Sequence, residues 1–527
     1  MPMTASPSTD GRRVSTGIAG LDEILGGGLA PDRLYLVEGA PGAGKTTLAL
    51  GFLMAGAARG ETGLYVTLSE TAEELRSVAA SHGWAPLPDR LGVLDLGAAE
   101  AALAGGPTRD QTVLHAWEIE LGETIDLLTT EVERRNPARV VFDSLSELRL
   151  LAQDPLRYRR QILALKQFFT GRHCTVLLLD DLTAAAGRSD LQLHSLCHGI
   201  VSLERRTLEY GPARRRLEVA KMRGASYREG WHDYDVRTGG IEVYPRLAAS
   251  PALVDVSPDS APEMLPSGVA TLDALLGGGV LRGTSALVTG PAGTGKTTIA
   301  MRYAVAAAER GERVAVYEFD ERSGTLAARS AAAGMDLASH VAAGRIGLRR
   351  VNPAALSPGE FAHMVRTAVE EQGASVLVID SLNGYFAAMP QEHQLLLQMH
   401  DLLSYLNEKG ATTFLLHAQH GLIGDISGAL NVSYLADAVV LLRFFEAGGR
   451  VRKAISVIKN RGGRHEDTIR ELRIGSPAGI ELGPPLTEFH GVLTGTPEFR
   501  GAAGELIGRR PEPAPDQPAG RGVDPGA

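Results

Sequence analysis

The sequence predicts an α/β protein made of two tandem domains of one fold, each a mainly parallel β-sheet with helices on both faces. Three observations lead to this prediction. The chain has 527 residues, which is too long for a single packed core. The segment TGIAGLDEILGGGL at 16–29 returns as SGVATLDALLGGGV at 267–280. Short apolar runs alternate with helical segments in both copies, as in parallel sheets covered by helices.

Each copy is expected to run strand, glycine-rich loop, helix, strand, helix, strand. The first glycine-rich loop is followed by a helical segment at 46–60, and the second by one at 297–311. The predicted buried strands are 34–39, 63–68, 139–143 and 175–179 in the first copy, and 286–290, 314–319, 376–380 and 413–416 in the second. The extra length of the first copy is assigned to a surface loop at 97–111, which is rich in Ala, Gly and Pro.

The domain boundaries follow from where the two copies begin and end. The prediction is a flexible N-terminus at 1–12, a first domain at 13–247, a linker at 248–265, a second domain at 266–507 and a disordered tail at 508–527.

Composition excludes several classes of protein. The net charge of −9 argues against a dedicated nucleic-acid-binding protein, which usually carries a basic face. Two cysteines, Cys174 and Cys197, are too few for a disulfide framework or a metal site, and Cys174 lies in an apolar run that predicts burial. Neither an apolar signal region nor a membrane-length apolar run is present, which predicts a cytoplasmic protein without a membrane segment.

Both glycine-rich loops match the phosphate-binding pattern GxxxxGK[ST]. Backbone N–H groups of such a loop surround phosphate oxygens at a helix N-terminus. Lys45 and Lys296 would reach the β- and γ-phosphates, and Thr46 and Thr297 would ligate Mg²⁺. The alternative is a glycine-rich turn that happens to contain lysine. The candidate nucleotide-binding residues are Gly39, Ala40, Pro41, Gly42, Ala43, Gly44, Lys45, Thr46 and Thr47, with Gly290, Pro291, Ala292, Gly293, Thr294, Gly295, Lys296, Thr297 and Thr298.

Carboxylates after later strands complete the predicted site. Asp143 follows the apolar run VVF and Asp380 follows VLVI, and both would orient Mg²⁺ and its waters, the alternative being a cap for the next helix. Hydrolysis also needs a base for the attacking water. The candidates are Glu70 in the first copy and Asp320 with Glu321 in the second, the alternative being solvated carboxylates.

Taken together, these motifs resemble the RecA-like P-loop ATPase family of the circadian clock protein KaiC. The shared features are the GLDxxLGGG opening, the GKTT loop, the acidic pair, the strand ending in Asp-Ser, and a late KxRG, over roughly residues 12–500. The resemblance implies a homohexameric double ring that binds ATP between subunits. The first position of the family's acidic pair, usually Glu, is Ser69 in one copy and Asp320 in the other. Faster hydrolysis is therefore expected in the second domain.

The KxRG motifs are the predicted contribution of a neighbouring subunit. By resemblance, Lys221 and Arg223, and likewise Lys459 and Arg461, reach the neighbour's γ-phosphate. The chain has few lysines, and 45, 221, 296 and 459 all fall at matching motif positions, which agrees with a role at phosphate. A basic turn on a solvated hairpin is the alternative.

A phosphorylation site is also implied by the resemblance. Alignment on ADAVVLLRF at 436–444 puts Ser433 at a serine that the family phosphorylates from ATP, and Tyr434 at the neighbouring threonine. The alternative is a serine that caps a turn before the strand.

Two other functions are compatible with a P-loop fold. A RecA-like DNA-dependent ATPase needs basic or aromatic residues in the loops that follow the region of Asp143 and Asp380. The candidate loops, 183–199 and 421–431, together contain one arginine and no aromatic residue. The basic run at 205–216 is assigned to a hairpin tip or interface. A nucleotide-gated scaffold that signals to protein partners with little turnover is the third possibility. Preference for ATP over other nucleotides rests on the resemblance, because no guanine-selective NKxD motif is present.

Overall fold

The structure is a computed structural model. It describes residues 13–96, 116–152, 154–182, 190–247, 263–387, 394–419, 432–475, 479–493 and 498–499. Several predicted segments lie outside the described residues: the N-terminus at 1–12, the loop at 97–111, most of the linker, part of the loop at 183–199, the loop at 421–431 and the tail at 508–527.

The chain divides into two compact units. One comprises Met1–Ala248 with Ala354–Arg366, and the other comprises Ala249–Pro353 with Thr367–Ala527. Each unit contains one nine-stranded sheet.

The first sheet is parallel on one side of the P-loop strand and antiparallel on the other. Its order is β3-β2-β4-β5-β1-β6-β7-β8-β9. Neighbours from β3 to β6 are parallel, and β6 to β9 form an antiparallel meander. The strands are β1 Leu34–Gly39, β2 Gly63–Thr67, β3 Leu91–Asp95, β4 Arg139–Asp143, β5 Thr175–Asp181, β6 Gly199–Arg206, β7 Arg214–Met222, β8 His232–Arg237 and β9 Gly240–Tyr244.

Helices of the first copy precede, follow or connect these strands. They are α1 Ala19–Ile24, α2 Lys45–Ala58, α3 Ala72–Ser81, α4 Ala116–Arg135, α5 Leu145–Ala152, α6 Pro155–Phe169 and α7 Asp190–Leu196. The pairing of β6 with β7 confirms that the basic run at 205–216 includes a hairpin turn.

The second copy repeats this order with different residues. Its main sheet is β14-β13-β15-β16-β12-β17-β18-β19-β20, again parallel up to β17 and antiparallel beyond it. The strands are β10 Met264–Leu265, β11 Val280–Leu281, β12 Ser285–Gly290, β13 Arg313–Glu318, β14 Ile346–Arg350, β15 Ala374–Asp380, β16 Thr412–Ala418, β17 Ala438–Ala447, β18 Arg450–Asn460, β19 Arg470–Gly475, β20 Gly479–Pro485, β21 Phe489–His490 and β22 Glu498–Phe499.

The helices of the second copy follow a similar order, with one additional helix before β14 and a 3₁₀ turn before β17. They are α8 Ala270–Leu275, α9 Lys296–Glu309, α10 Ser323–Ala332, α11 Leu337–Ala342, α12 Pro358–Glu370, α13 Leu382–Ala387 and α14 Leu395–Glu408, with a 3₁₀ turn at Ser433–Leu435. The predicted fold class, two mainly parallel α/β domains in tandem, is therefore confirmed.

Apolar residues of the central strands are shared between the two faces of a sheet. In β5, Leu177 and Leu179 pack in the core that contains α2, whereas Val176 and Leu178 pack with α5 and α6. This alternation explains why the strand is apolar at nearly every position. Cys174 is buried beside it, as predicted, and burial raises the pKa of its thiol to about 12.

No helix within the described ranges is long and apolar enough to cross a membrane.

Candidate nucleotide sites

Each glycine-rich loop connects the central strand of its sheet to the following helix. Gly44 and Gly295 cap helices α2 and α9 with φ values of +101° and +110°. Residues with a β-carbon rarely adopt this left-handed conformation. The glycines before the lysines therefore allow the sharp entry into the helix that turns its first N–H groups toward a bound anion.

The two lysines have different partners. Lys45 is buried, and its Nζ donates to the carbonyls of Gly39 at 2.9 Å and Ala40 at 3.3 Å. The same Nζ lies 2.6 Å from Oδ1 of Asp181, the last residue of β5. The first lysine is thus neutralised by a carboxylate of its own domain.

Lys296 has only the backbone part of this arrangement. Its Nζ donates at 2.9 Å to the carbonyls of Gly290 and Pro291. The place that Asp181 holds beside Gly39 is held by Ala418 beside Gly290. Burial lowers the pKa of Lys296, and the nearby Asp380 carboxylate partly opposes that shift.

The predicted magnesium-orienting carboxylates lie at the ends of β4 and β15. The Thr297 hydroxyl donates to Oδ2 of Asp380 at 2.6 Å. In the first domain, the Tyr65 hydroxyl donates to Oδ2 of Asp143 at 2.6 Å, and Thr46 also interacts with this carboxylate. Burial raises the pKa of both aspartates.

A hydroxyl beside a buried carboxylate fits Mg²⁺, a hard cation that prefers oxygen ligands and keeps several waters. No group of three or more His, Cys, Asp or Glu side chains able to hold a metal was found among the residues with described positions.

The candidate bases differ between the domains. Burial raises the pKa of Glu70, and one of its carboxyl oxygens is buried without a hydrogen-bond partner. Asp320 accepts a hydrogen bond from the Ser381 hydroxyl at 2.7 Å. Glu321 forms an ion pair of 2.7 Å with Arg329 of α10, which holds its carboxylate toward that helix.

Glu318, the last residue of β13, is a further carboxyl that the motif analysis missed. It is 1% exposed, and neither carboxyl oxygen has a hydrogen-bond partner. It pairs across the sheet with Asp380. Burial, followed by the charges of Asp380 and Glu321, raises its pKa to about 8.

The four KxRG cations contact backbone carbonyls or a carboxylate of their own copy. Lys221 donates to the carbonyl of His194, and Arg223 donates to that of Ser195 at 3.0 Å. Lys459 donates to the carbonyls of Ser433 at 3.0 Å and Ala436 at 2.5 Å.

Arg461 is 62% exposed and lies 3.7 Å from Asp437, so little holds its guanidinium in place. Burial lowers the pKa of both lysines, and the adjacent arginine of each motif lowers it further.

A pocket of about 330 Å³ opens beside the second P-loop. Its walls come from the loop, from α10 and from the antiparallel strands β18 and β19, including Arg329, Ala333, Lys453 and Ile474. Its position next to the phosphate loop and its mixed apolar and basic lining suit a nucleoside.

In the first domain, His82 stands where the repeat has Ala333. Its ring nitrogens lie 3.2 Å from the Thr47 hydroxyl and 2.9 Å from the Arg237 carbonyl oxygen. Trp84 packs beside it, with ring centroids 5.1 Å apart. The side chains next to the two phosphate loops thus differ in size and polarity.

A polar cluster is specific to the first domain. Glu38 precedes Gly39 and accepts a hydrogen bond from Ser202 at 2.7 Å, while its second oxygen lies 2.7 Å from Nε2 of His194. Thr289 takes the place of Glu38 in the repeat. The cluster links the P-loop strand to α7, whose His194 carbonyl is bound by Lys221.

Comparison with known proteins identifies the family. The KaiC ATPase family model matches residues 14–248 and 265–487, which is most of the chain. The chain belongs to the KaiC ATPase family.

KaiC proteins resemble the chain along nearly its whole length. It is 25% identical over 502 residues to the circadian clock protein KaiC3 of Synechocystis sp., covering 93% of this chain and 96% of the relative. It is 26% identical over 494 residues to the circadian clock oscillator protein KaiC of Picosynechococcus sp., covering 92% of each. For the KaiC of Thermostichus vulcanus, identity is 26% over 506 residues, covering 94% and 93%.

Membership of the KaiC family confirms the predicted resemblance and a nucleotide-binding ATPase. The motifs did not reveal Asp181, Glu318, His82 or Glu38 as neighbours of the sites. One signal was available for Asp181: aligning the repeats at the strands that end in Asp143 and Asp380 sets this acidic residue against Ala418.

Proposed function

We propose that both P-loops bind ATP with Mg²⁺ and that the second domain carries most of its hydrolysis. The observation that carries this proposal is the contact between Thr297 and Asp380 beside the buried Lys296. A cation, a hydroxyl and a carboxylate then surround one phosphate position at a helix N-terminus.

The reaction needs charge stabilisation and one proton acceptor. A water oxygen bonds to the γ-phosphorus while the bond to the β-bridging oxygen breaks, leaving ADP and phosphate. Lys296 offsets negative charge on the phosphates, and Asp320 receives the proton of the water. Mg²⁺, when bound, would neutralise phosphate charge, with Thr297 and Asp380 as the residues that hold it. Glu70 is the corresponding base in the first domain.

The ATP is proposed to lie between subunits of a homohexameric ring. Lys221 and Arg223 in one domain, and Lys459 and Arg461 in the other, would reach the γ-phosphate of the adjacent subunit. The high exposure of Arg461 supports this role, because an exposed guanidinium is available to a neighbour. Light scattering with and without ATP tests it: ATP should favour the hexamer, and a monomer with full turnover would contradict it.

The site assignment is tested by ATP turnover in the double variant Lys45→Ala/Lys296→Ala. Removing both lysines should reduce turnover by about 10²–10³-fold, the usual effect of losing one strong transition-state contact. Retained turnover would mean that the reaction occurs elsewhere.

The same assay with single-stranded DNA distinguishes the rival function. A RecA-like DNA-dependent ATPase would turn over faster with DNA, whereas the proposed ring would not. Nucleotide-dependent capture of protein partners with negligible turnover would instead favour the signalling scaffold, whereas the proposed ring hydrolyses ATP slowly.

Autophosphorylation of Ser433 is a second candidate activity. Its backbone carbonyl is bound by Lys459, one of the cations proposed to act at phosphate, so the serine and that cation belong to one local structure. The Ser433 hydroxyl would attack the γ-phosphorus, ADP would leave, and a nearby carboxylate such as Asp320 or Glu321 would take the proton. Incubation with labelled ATP and peptide mapping of wild type and Ser433→Ala tests this: label on Ser433 supports it, and unlabelled protein that hydrolyses ATP contradicts it.

A further inference from the structure

The ion pair between Lys45 and Asp181 is the feature that most clearly separates the two P-loops. Nζ of Lys45 and Oδ1 of Asp181 are 2.6 Å apart, and the lysine is buried while the aspartate side chain is 33% exposed. Asp181 ends β5 directly beside Gly39, the first residue of the loop. The carboxylate therefore lies beside Lys45, the lysine of this loop that is expected to contact phosphate.

The repeat supplies a natural comparison within the same chain. Ala418 ends β16 in the same register beside Gly290. Both lysines donate to the first two carbonyls of their loops. The backbone contacts of the lysine are thus shared, and the carboxylate is the difference.

Binding a triphosphate at the first P-loop changes the charge balance around Lys45. The ammonium group must turn its positive charge toward phosphate, and Asp181 loses its short ion pair. The aspartate also remains close to an incoming anion and to Asp143, whose pKa its charge helps to raise. Two like charges close together in a partly buried site oppose each other.

We propose that Asp181 competes with phosphate for Lys45 and makes the first P-loop the weaker of the two nucleotide sites. This inference rests on the proposed function, in which Lys45 is a phosphate ligand. Asp181 thereby lowers the affinity of the first domain for ATP, while the backbone of the phosphate loop makes both domains bind phosphate-containing ligands.

Reciprocal substitutions test the proposal by binding. In a Lys296→Ala background, which reports on the first domain, Asp181→Ala should strengthen equilibrium binding of ATP with Mg²⁺ on the order of tenfold. The effect is limited because the aspartate is partly exposed and water screens its charge. In a Lys45→Ala background, which reports on the second domain, Ala418→Asp should weaken binding by a similar factor.

Asp181→Asn keeps the shape of the side chain and removes its charge, so it should reproduce the gain seen with Asp181→Ala. Unchanged or weaker ATP binding in both Asp181 variants would overturn the inference, and weaker binding would show that the carboxylate assists the nucleotide. The Lys45→Ala/Lys296→Ala chain separates this failure from failure of the proposed function. If the double lysine variant binds ATP as wild type does, the P-loop assignment is wrong. If it loses ATP binding while both Asp181 variants bind ATP unchanged, only the proposed competition between Asp181 and phosphate is refuted.

Discussion

The two P-loops share a backbone and differ in the side chains around it. In both, a left-handed glycine leads into the helix and the lysine folds back onto two loop carbonyls. In the first domain, Asp181 pairs with the lysine and His82 stands beside the loop, whereas the second has Ala418 and Ala333 there. The comparison teaches that the two repeats have kept the same phosphate loop while the side chains around it have diverged.

The acidic residues near the two phosphate loops also differ between the domains. The second domain brings Glu318, Asp320 and Asp380 into mutual electrostatic range. The first domain has Glu70 near Asp143, with Ser69 and Thr67 in place of the other two acids. The second domain has two candidate bases, Asp320 and Glu321, against Glu70 in the first, and this difference is the basis for expecting it to turn over faster.

The largest expected effect comes from the cations proposed to act across the subunit boundary. Arg461→Ala should lower turnover by about 10³-fold, since cations supplied to the γ-phosphate contribute about 10³–10⁵ in rate. Mixing Arg461→Ala chains with Lys296→Ala chains should restore part of the turnover, because some sites combine an intact P-loop with an intact neighbouring arginine.

The equivalent mixture of Arg223→Ala and Lys45→Ala chains is the matched control. Because the first domain contributes little turnover, mixing these chains should change the rate only slightly. If mixed Arg461→Ala and Lys296→Ala chains are no faster than the separate proteins, Arg461 does not act in trans.

The next largest effect concerns the carboxylates that receive the proton. Asp320→Asn combined with Glu321→Gln should lower turnover about 100-fold, within the range for loss of a general base. Glu70→Gln should lower it less than twofold, because the first domain supplies a minor share. Steady-state turnover at saturating ATP measures both, and a greater loss from Glu70→Gln would reverse the ranking of the domains.

A smaller effect is expected on stability, from Glu318. Its folded-state pKa of about 8 lies above the usual 4.5 of a glutamate, so the folded state retains this proton more strongly than the unfolded state. Its contribution to stability is therefore fully present below about pH 4.5 and is lost as the pH rises through 8.

In protein free of Mg²⁺ and nucleotide, Glu318→Thr, which installs the first domain's residue, should remove this loss. The free energy of unfolding should then fall less steeply between pH 5 and 8 than in wild type, by up to about 1 kcal/mol per pH unit. Denaturant unfolding at several pH values measures the slope. Parallel curves for the two proteins would show that Glu318 is not held protonated.

The sequence predicted the fold and the phosphate loops because both depend on local order along the chain. Apolar runs and glycine spacing located β1, β12, α2 and α9, and the duplication made each match support the other. The antiparallel strands β7–β9 and β18–β20 were not predicted as sheet extensions, since their residues are only half buried and alternate less clearly.

Contacts between side chains from separate strands could not be predicted in this way. Asp181 reaches Lys45 because the parallel strands β1 and β5 bring their carboxyl ends to one edge of the sheet, and His194 reaches Glu38 from helix α7. A single sequence shows that an acidic residue follows an apolar run, but the identity of its partner depends on strand order. The difference at Asp181 becomes visible in the sequence only when the two repeats are compared position by position.

The central claim, that the two P-loops have different roles, is tested most directly by ATP turnover of the two single lysine variants at saturating ATP and Mg²⁺. Lys296→Ala should remove nearly all turnover, and Lys45→Ala should leave most of it, because hydrolysis is assigned to the second domain. Equal losses, or a larger loss from Lys45→Ala, would contradict the account.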